Sequence, residues 1–298
     1  MFAVSDIAAG VAVGNFLNLA KTISQIENQV EGTDAYLMQL EPKPIPVVGI
    51  TGPPGAGKST LISALVGAWI RAGHKVAVLS VDPSSPFHKG AILGDRIRMK
   101  DWYLHPQVFI RSLASRGHLG GLNSSMIELT TLLQSVGFDQ IIVETVGVGQ
   151  SEVEIAGLAD KTLVVLVPES GDEIQHIKSG LMEIAQAFVV NKADREGADT
   201  FANNLKKMVH QQSEVIPIFK TVAEKNIGIS LLCEWIAQLP KSLNHRKNFL
   251  MAEKALRLIQ HHRMKGIDQK KLRKAIDEAL VKSNFNIYKF VEGWLKHS

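Results

Sequence analysis

The residues of this chain that could bind a polyphosphate are gathered in one glycine-rich stretch. An apolar run, residues 47–51, leads into a motif of the form Gly-x-x-x-x-Gly-Lys-Ser, and an apolar helical pattern follows from Leu61. The motif and the residue after it comprise Gly52, Pro53, Pro54, Gly55, Ala56, Gly57, Lys58, Ser59 and Thr60. Glycines let backbone N–H groups turn toward a phosphate, and the N-terminus of the following helix adds partial positive charge. We therefore expect a nucleoside triphosphate site in which Lys58 contacts the β- and γ-phosphates and Ser59 holds Mg²⁺.

Two acidic residues stand where predicted strands end. Glu144 follows the predicted strand 139–143, and Asp82 follows the predicted strand 75–81. Ligands of open α/β sheets bind beyond the carboxyl ends of the strands, so both carboxylates are candidate ligands of Mg²⁺ or of its water shell. The alternatives are a turn-initiating aspartate before a proline and a surface acid at a strand end.

The segment after Glu144 turns through glycines and is predicted to sense the γ-phosphate. The N–H group of Gly147 is placed to contact this phosphate, and the amide of Gln150 is a candidate for orienting the attacking water.

A further motif addresses the base of the nucleotide. Asn191, Lys192 and Asp194 form an Asn-Lys-x-Asp tetrad after the apolar run 187–190. The aspartate can accept hydrogen bonds from N1–H and the exocyclic amine of guanine, whereas adenine would leave this carboxylate unpaired. The tetrad therefore predicts GTP and GDP as ligands. Thr221 and Val222 stand where GTPases often carry a Ser-Ala pair whose backbone contacts the base.

The elements that position these residues are predicted to form an α/β fold. Short apolar runs alternate with helical patterns, which is typical of a mostly parallel sheet flanked by helices, the architecture of P-loop NTPases. The strands are expected near residues 47–51, 75–81, 108–111, 139–143, 162–167, 187–190 and 215–219, and a helix is expected over 61–71.

Helical extensions are predicted on both sides of this core. Residues 1 to about 40 have helical spacing, and the proline-rich segment 41–46 breaks the helix as a stiff linker. We place an N-terminal helical extension at 1–45, the nucleotide-binding domain at 46–240 and a C-terminal helical region at 241–298. The pattern is helical from Ser230 onward, and Gly266 separates two helical blocks. Apolar positions in the C-terminal region could form a core or a dimer seam, namely Phe249, Leu256, Ile259, Ile276, Leu280, Phe290 and Leu295.

Two glycine-bearing, charged loops are candidate switches, and they span residues 90–99 and 116–121. A further loop, residues 168–180, is acidic and leads into a helical pattern near Ile174. Loops near a nucleotide can order and disorder with its phosphates, although the same composition also suits plain connections.

Composition limits the classes of function. The chain has 298 residues, a formal net charge of +4 and 45% hydrophobic residues, which suits one or two globular domains. No apolar run approaches the ~18 residues of a transmembrane helix. The single Cys233 forms no internal disulfide and is expected to be a small core residue in a reducing, cytoplasmic setting. The region from Lys241 onward carries a net charge of +9, which we interpret as a solvated helix face or partner surface, with no nucleic acid or membrane as partner.

Taken together, the motifs resemble the GTPase chaperones of adenosylcobalamin-dependent methylmalonyl-CoA mutase, a group formerly described as arginine/ornithine transport kinases. The resemblance is dense over residues 47–240. It is carried by segments 52–60, 82–85, 93–99, 115–121, 144–152, 171–178 and 191–194.

The resemblance implies a homodimeric GTPase of the class that also contains the nickel-insertion GTPases. It implies that GTP binding and hydrolysis gate cofactor loading of an acyl-CoA mutase and protect that mutase. It further implies a switch over 171–178 through which the mutase stimulates hydrolysis, and we expect Lys178 to supply the stimulating cation. An exposed helical lysine is the alternative for Lys178.

Two other functions stay open at this point. One is a small-molecule kinase that uses the same phosphate loop, against which the Asn-Lys-x-Asp tetrad argues because most metabolite kinases use ATP. The other is a nickel-insertion GTPase, which needs Cys and His ligands near its switches. Cys233 lies outside the core loops, and His118 and His176 do not form a ligand-spaced pair.

Overall fold

The computed structural model describes residues 15–82, 99–114, 125–145, 151–171, 181–209, 216–238, 245–264, 267–281 and 285–297. For residues 82, 151–154, 170, 171, 245, 296 and 297 it describes the backbone only.

A seven-stranded sheet forms the centre of the fold. Its order is β3-β2-β4-β1-β5-β6-β7, and every pairing is parallel. The strands are β1 Val47–Thr51, β2 Val76–Asp82, β3 Val108–Ala114, β4 Gln140–Thr145, β5 Lys161–Leu166, β6 Ala187–Val190 and β7 Ile218–Lys220. Strands β1, β5 and β6 are buried at every position, as expected for parallel strands covered on both faces. The predicted α/β class with a parallel sheet is confirmed.

Helices connect the strands of the sheet, and further helices precede and follow the sheet strands along the chain. They are α1 Phe16–Glu27, α2 Thr33–Leu37, α3 Lys58–Arg71, α4 Met126–Ser135, α5 Ser151–Leu158, α6 Leu181–Ile184, α7 Ala198–Val209, α8 Ile229–Ala237, α9 His245–Met264, α10 Gln269–Leu280 and α11 Ile287–His297. None of the helices within the described ranges is long and apolar enough to cross a bilayer.

Several predicted boundaries differ from the structure, and β3, for example, continues to Ala114 instead of ending at residue 111. The helical segment before residue 40 is divided into α1 and α2, because Gln29 and Gly32 adopt left-handed φ angles of 49° and 89°. The last strand starts at Ile218, three residues later than expected: Pro217 has no N–H to donate, and only its carbonyl bonds to the neighbouring strand, at 2.9 Å from the Phe188 nitrogen. The helical pattern after Gly266 contains two helices, α10 and α11.

Helix α3 packs its apolar face on the sheet and so fixes the start of the phosphate loop. Leu61, Ile62, Leu65 and Trp69 are buried against β1 and β5 side chains in the largest apolar cluster of the described chain. On the opposite face, a Cβ atom on Gly49 would lie 2.8 Å from the Ile155 side chain, so β1 and α5 approach closely only because residue 49 is glycine. Cys233 is half-buried beside this cluster, and burial raises the pKa of its thiol to about 11.

The N-terminal segment lies against the outer part of the sheet. The ring of Phe16 in α1 stacks with Phe138 at 5.9 Å and contacts Phe109 of β3 at 5.6 Å. Arg111 of β3 pairs with Glu27 at 3.1 Å. The proline-rich linker is anchored as well, because the Gln134 side chain donates to the Ile45 carbonyl at 2.7 Å.

The chain separates into two compact units, residues 1–247 and 248–298. Within the second unit, Asp268 caps α10 by accepting from the Lys270 nitrogen at 2.9 Å. The Phe290 ring contacts Phe285 and stacks with Trp294, each at 6.0 Å between centroids.

Candidate functional site

The phosphate loop connects the end of β1 to the start of α3. Gly52, Gly55 and Gly57 have φ angles of 138°, 80° and 83°, conformations that side-chain-bearing residues rarely adopt. A Cβ atom on Gly52 would lie 2.1 Å from the Val165 carbonyl oxygen, so the loop also runs directly over β5. The spacing of the glycines thus follows from the backbone path.

The other predicted loop residues lie where a phosphate cradle needs them. Lys58 is the first residue of α3 and is 8% exposed; its ammonium group donates to the carbonyl oxygens of Gly52 at 2.7 Å and Pro53 at 3.0 Å. The lysine therefore closes the loop on itself at the N-terminus of a helix, which is a favourable position for an anion. Pro54 and Gly55 are exposed, Ala56 is buried, and Thr60 is half-buried in the first turn of α3.

The predicted metal ligands Ser59 and Glu144 are in contact. The Ser59 hydroxyl donates to one carboxylate oxygen of Glu144 at 3.0 Å. Glu144 lies one residue before the end of β4 and is 5% exposed, so it is a buried acid rather than a surface one. A hydroxyl and a carboxylate are the oxygen ligands that Mg²⁺ prefers, and the pair therefore fits that ion.

Ser80 was missed by the sequence reasoning. It is the direct neighbour of Glu144 across the β2–β4 ladder, and its hydroxyl donates to the second carboxylate oxygen at 3.3 Å. The available signal was a hydroxyl within an otherwise apolar strand. Because each carboxylate oxygen receives a hydroxyl, the orientation of Glu144 is fixed from two sides.

Several predicted site residues fall outside the structural description. Gly147, Gln150 and Lys178 lie outside the described residues. The backbone of Asp82 ends β2 and pairs with Ala114 of β3, which places residue 82 at the carboxyl edge of the sheet.

Asn191 of the tetrad connects the base motif to the phosphate loop. It follows β6 and is 2% exposed. Its amide nitrogen donates to the Ala56 carbonyl at 3.1 Å, and its amide oxygen accepts from the Thr221 hydroxyl at 3.1 Å and the Ala223 nitrogen at 3.3 Å. One buried side chain thus holds three loops together.

Lys192 extends the same connection at the surface of the site. Its backbone is left-handed, with φ 54°, and its ammonium group donates to the Gly55 carbonyl at 2.8 Å. Together with Asn191, it ties the base motif to Gly55 and Ala56 of the phosphate loop.

The segment after β7 forms a tight turn beside the tetrad. Thr221 is fully buried and Val222 nearly so, and Val222 forms an isolated antiparallel bridge with Ile227. Gly228 closes the turn with φ 77°, where a Cβ atom would lie 2.3 Å from the Lys220 carbonyl oxygen. The Ala193 nitrogen donates to the Thr221 carbonyl at 3.0 Å, so this turn and the tetrad share a backbone hydrogen bond.

Ion pairs surround the end of the tetrad. Asp194 accepts from the Lys225 ammonium at 2.8 Å, and this hydrogen bond holds the pKa of Asp194 below its usual value. The guanidinium of Arg195 pairs with Glu169, which follows β5, and that hydrogen bond lowers the pKa of Glu169. The Asp194 carboxylate is therefore an ionised hydrogen-bond acceptor at neutral pH.

The chain is similar in sequence to known proteins. The family model described as methylmalonyl Co-A mutase-associated GTPase MeaB matches residues 19–279. A Pyrococcus horikoshii protein provisionally named a GTPase is 44% identical over 252 residues, which cover 80% of this chain and 78% of that protein. A Caenorhabditis elegans protein named as a mitochondrial homolog of methylmalonic aciduria type A is 44% identical over 149 residues, 49% of this chain and 37% of that protein.

A solved structure has the same fold. The crystal structure of a LAO/AO transport system kinase aligns with a TM-score of 0.65 at 22% identity, over 95% of this chain and 89% of that one. At this identity the likeness concerns the fold alone. The family match, in contrast, includes the phosphate loop, the acidic end of β4 and the guanine motif. The chain therefore belongs to the methylmalonyl-CoA mutase-associated GTPase family MeaB, and it is a P-loop GTPase that binds guanine nucleotide.

Proposed function

We propose that this GTPase is a chaperone of an adenosylcobalamin-dependent acyl-CoA mutase of the methylmalonyl-CoA mutase type. The observation that carries the proposal is the family match over residues 19–279, since that family is described by its association with this mutase. The name of the Caenorhabditis elegans relative points to methylmalonate metabolism as well. In this role, GTP binding and hydrolysis gate cofactor loading of the mutase and protect it.

The site residues have distinct roles in this proposal. Lys58 at the N-terminus of α3 binds the β- and γ-phosphates, and Asp194 reads the guanine base. Ser59 and Glu144 hold Mg²⁺, supported by their 3.0 Å contact, with Asp82 at the neighbouring strand end. When bound, Mg²⁺ neutralises charge on the β- and γ-phosphates. Gly147 and Gln150 are proposed to contact the γ-phosphate and the attacking water.

The client is proposed to act through the loop that contains Lys178. A cation brought to the phosphates by a partner accelerates GTP hydrolysis by roughly 10³–10⁵-fold in GTPases that lack one. We propose that the free protein hydrolyses GTP slowly and that docking of the mutase moves Lys178 to the phosphates. This is a cytoplasmic reaction in our proposal, which the single cysteine supports because disulfides are rare in that compartment.

Single-turnover hydrolysis of GTP with and without saturating methylmalonyl-CoA mutase tests this function. We expect the mutase to accelerate hydrolysis by the wild type and to have no such effect on Lys178→Ala, whose basal rate and GTP affinity stay near those of the wild type. Lys207→Ala, an exposed lysine on α7, is the matched control and should respond as the wild type does.

The experiment tests the chaperone function and the role of Lys178 separately. A wild-type rate that is unchanged by the mutase would contradict the chaperone function. A Lys178→Ala variant that is stimulated as strongly as the wild type would remove only the role of Lys178, and Arg96, Arg98 and Arg116 would be the next candidates for the cation.

A further inference from the structure

The backbone around Asp194 is fixed by hydrogen bonds, whereas among the described residues its carboxylate is held by the side chain of Lys225. The Ala193 nitrogen bonds to the Thr221 carbonyl and the Arg195 nitrogen to the Lys192 carbonyl, both at 3.0 Å. The carboxylate accepts from the Lys225 ammonium at 2.8 Å. The direction of this carboxylate therefore depends on Lys225.

Lys225 projects from a turn that has little freedom. Residues Ala223–Lys225 form one 3₁₀ turn, in which the Lys225 nitrogen donates to the Val222 carbonyl at 3.0 Å. The next residue, Asn226, is left-handed with φ 56°, and the bridge between Val222 and Ile227 closes the turn. The origin of the Lys225 side chain is thus set by the same turn that lies beside the guanine motif.

We propose that Lys225 is a positioning residue for guanine recognition, because it holds one carboxylate oxygen of Asp194 and so orients the carboxylate toward N1–H and the exocyclic amine of the base. Each carboxylate oxygen has two acceptor sites, so the oxygen bonded to Lys225 still accepts from guanine. Val222 offers no side-chain donor for this purpose, and the Thr221 hydroxyl donates to Asn191 at 3.1 Å. The inference rests on Asp194 as the residue that reads the base.

The pair acts on selectivity and not on the stability of the fold. The side chains of Lys225 and Asp194 are 61% and 41% exposed. Ion pairs this exposed contribute little to folding, because water screens the charges. Loss of Lys225 should therefore leave the melting temperature unchanged while it weakens discrimination between bases, a combination that a purely structural role would not produce.

The charge of Lys225 also sets the pH range of recognition. Asp194 must be ionised to accept both hydrogen bonds from guanine. Lys225 is the largest cause of the lowered pKa of Asp194, and Arg195 adds to this effect. Two further acids face these cations: Glu224 lies near Lys225, and Glu169 is paired with Arg195. Since recognition is lost as pH falls through the folded-state pKa of Asp194, removing Lys225 should move that loss to higher pH.

The test compares Lys225→Gln with Lys220→Gln in the full chain. Lys220 is the matched control because it lies in the same segment, is 52% exposed against 61% for Lys225, and also forms an ion pair, with Asp199 at 2.6 Å. Dissociation constants are measured for GDP and for inosine diphosphate, which lacks the exocyclic amine, from neutral to acidic pH.

We expect Lys225→Gln to weaken GDP binding about threefold to tenfold, the loss of roughly one oriented hydrogen bond, and to lower the GDP-to-IDP preference. The pH below which GDP binding is lost should shift to a higher value. Lys225→Arg should restore both properties, and Lys220→Gln should match the wild type.

Two results would overturn the inference at different points. The two glutamine variants could have the same GDP affinity, the same preference for GDP over IDP and the same loss of binding at acidic pH. That result would show that Lys225 is an ordinary surface lysine. Asp194→Asn should turn the preference from GDP to xanthosine diphosphate, which presents an acceptor in place of the amine donor. If Asp194→Asn still prefers GDP, the assignment of Asp194 is wrong, and the role of Lys225 falls with it.

Discussion

At the scale of single residues, Asn191 makes phosphate binding and base recognition one hydrogen-bonded unit. Its side chain bonds to Ala56, 135 positions earlier, and to Thr221, 30 positions later. Because the side chain is buried, each of these polar groups depends on the others for a partner. A disturbance at either loop should therefore affect the whole nucleotide site.

Gly57→Ala tests this dependence. A Cβ atom at residue 57 would lie 2.5 Å from the Asn191 amide nitrogen, so the new methyl group must displace a buried side chain that is bonded on both sides. We expect GDP affinity to fall by at least about tenfold, the equivalent of one or two hydrogen bonds, as measured by equilibrium titration.

Gly73→Ala separates this collision from backbone strain. Gly73 has φ 82°, almost the same as the 83° of Gly57, but nothing lies within 4 Å of its hypothetical Cβ. It should lose stability by about 1–2 kcal/mol and keep its GDP affinity. Equal affinity losses in both variants would show that strain, and not Asn191, accounts for the effect.

Lys58 and Ser59 are adjacent, but their substitution by alanine should impair GTP hydrolysis in different ways. Lys58 supplies charge to the phosphates, whereas Ser59 acts through Mg²⁺ together with Glu144. We expect the hydrolysis defect of Ser59→Ala to diminish as Mg²⁺ is raised and that of Lys58→Ala to persist. Titration of Mg²⁺ against the hydrolysis rate measures this, and the same metal dependence in both variants would contradict the assignment of Ser59.

The sequence predicted the motif residues but not the side chains that support them. Lys58, Ser59 and Asn191 occupy fixed positions in local patterns, so spacing alone identified them. Ser80 reaches Glu144 across a ladder between strands 64 positions apart, and such a partner is known only once the strand order is known. Lys225 was missed for the same reason, since it meets Asp194 across a turn with no characteristic spacing.

At the scale of elements, the end of α8 is held by a buried lysine. Lys161, at the start of β5, is 4% exposed and donates to the carbonyl oxygens of Trp235 at 2.5 Å, Ile236 at 3.0 Å and Gln238. The ammonium also lies 4.6 Å from the centre of the Trp235 ring. The last carbonyls of a helix have no partner within that helix, so Lys161 supplies what α8 lacks.

Lys161→Met should destabilise the protein without touching the nucleotide site. It retains the length of the side chain but leaves buried carbonyl groups unpaired, at a cost of roughly 2–4 kcal/mol. Urea unfolding of the GDP-free protein measures the change. Lys207→Met, on an exposed position of α7, is the control and should stay within about 0.5 kcal/mol of the wild type. A similar small effect for Lys161→Met would mean that water replaces the ammonium group.

Sequence patterns predicted the existence of the elements better than their ends. The buried strands were evident because their apolar runs are uninterrupted. The ends of α1 and β7 were not, since they depend on a left-handed glutamine and on a proline whose carbonyl still bonds to its neighbour.

At the scale of the whole molecule, we propose that the C-terminal helices mediate a homodimer. In α9, Phe249, Leu256 and Ile259 are 69%, 49% and 51% exposed, and their spacing puts them on one helix face. Exposed apolar side chains in such a group favour association. Light scattering should give twice the mass of the chain, and Leu256→Lys combined with Ile259→Lys should give the mass of one chain.

The control for this experiment is Gln260→Lys, which adds a charge to an exposed position of the same helix. It should remain dimeric. A wild type that is monomeric at every concentration would contradict the proposed dimer, because association must increase with concentration.

The order of the strands also constrains how the protein is made. Strand β1 lies between β4 and β5, so its first neighbour does not exist until the ribosome has synthesised residues 140–145, and its second does not exist until residue 166. Before residue 140 is synthesised, the emerging chain holds a phosphate loop and helix α3 without the sheet that supports them, and only β2 and β3 can pair. Contacts between such distant segments form slowly. Nascent chains arrested before residue 140 should therefore be cleaved by protease within β1, and chains extended well beyond residue 166 should become protected there.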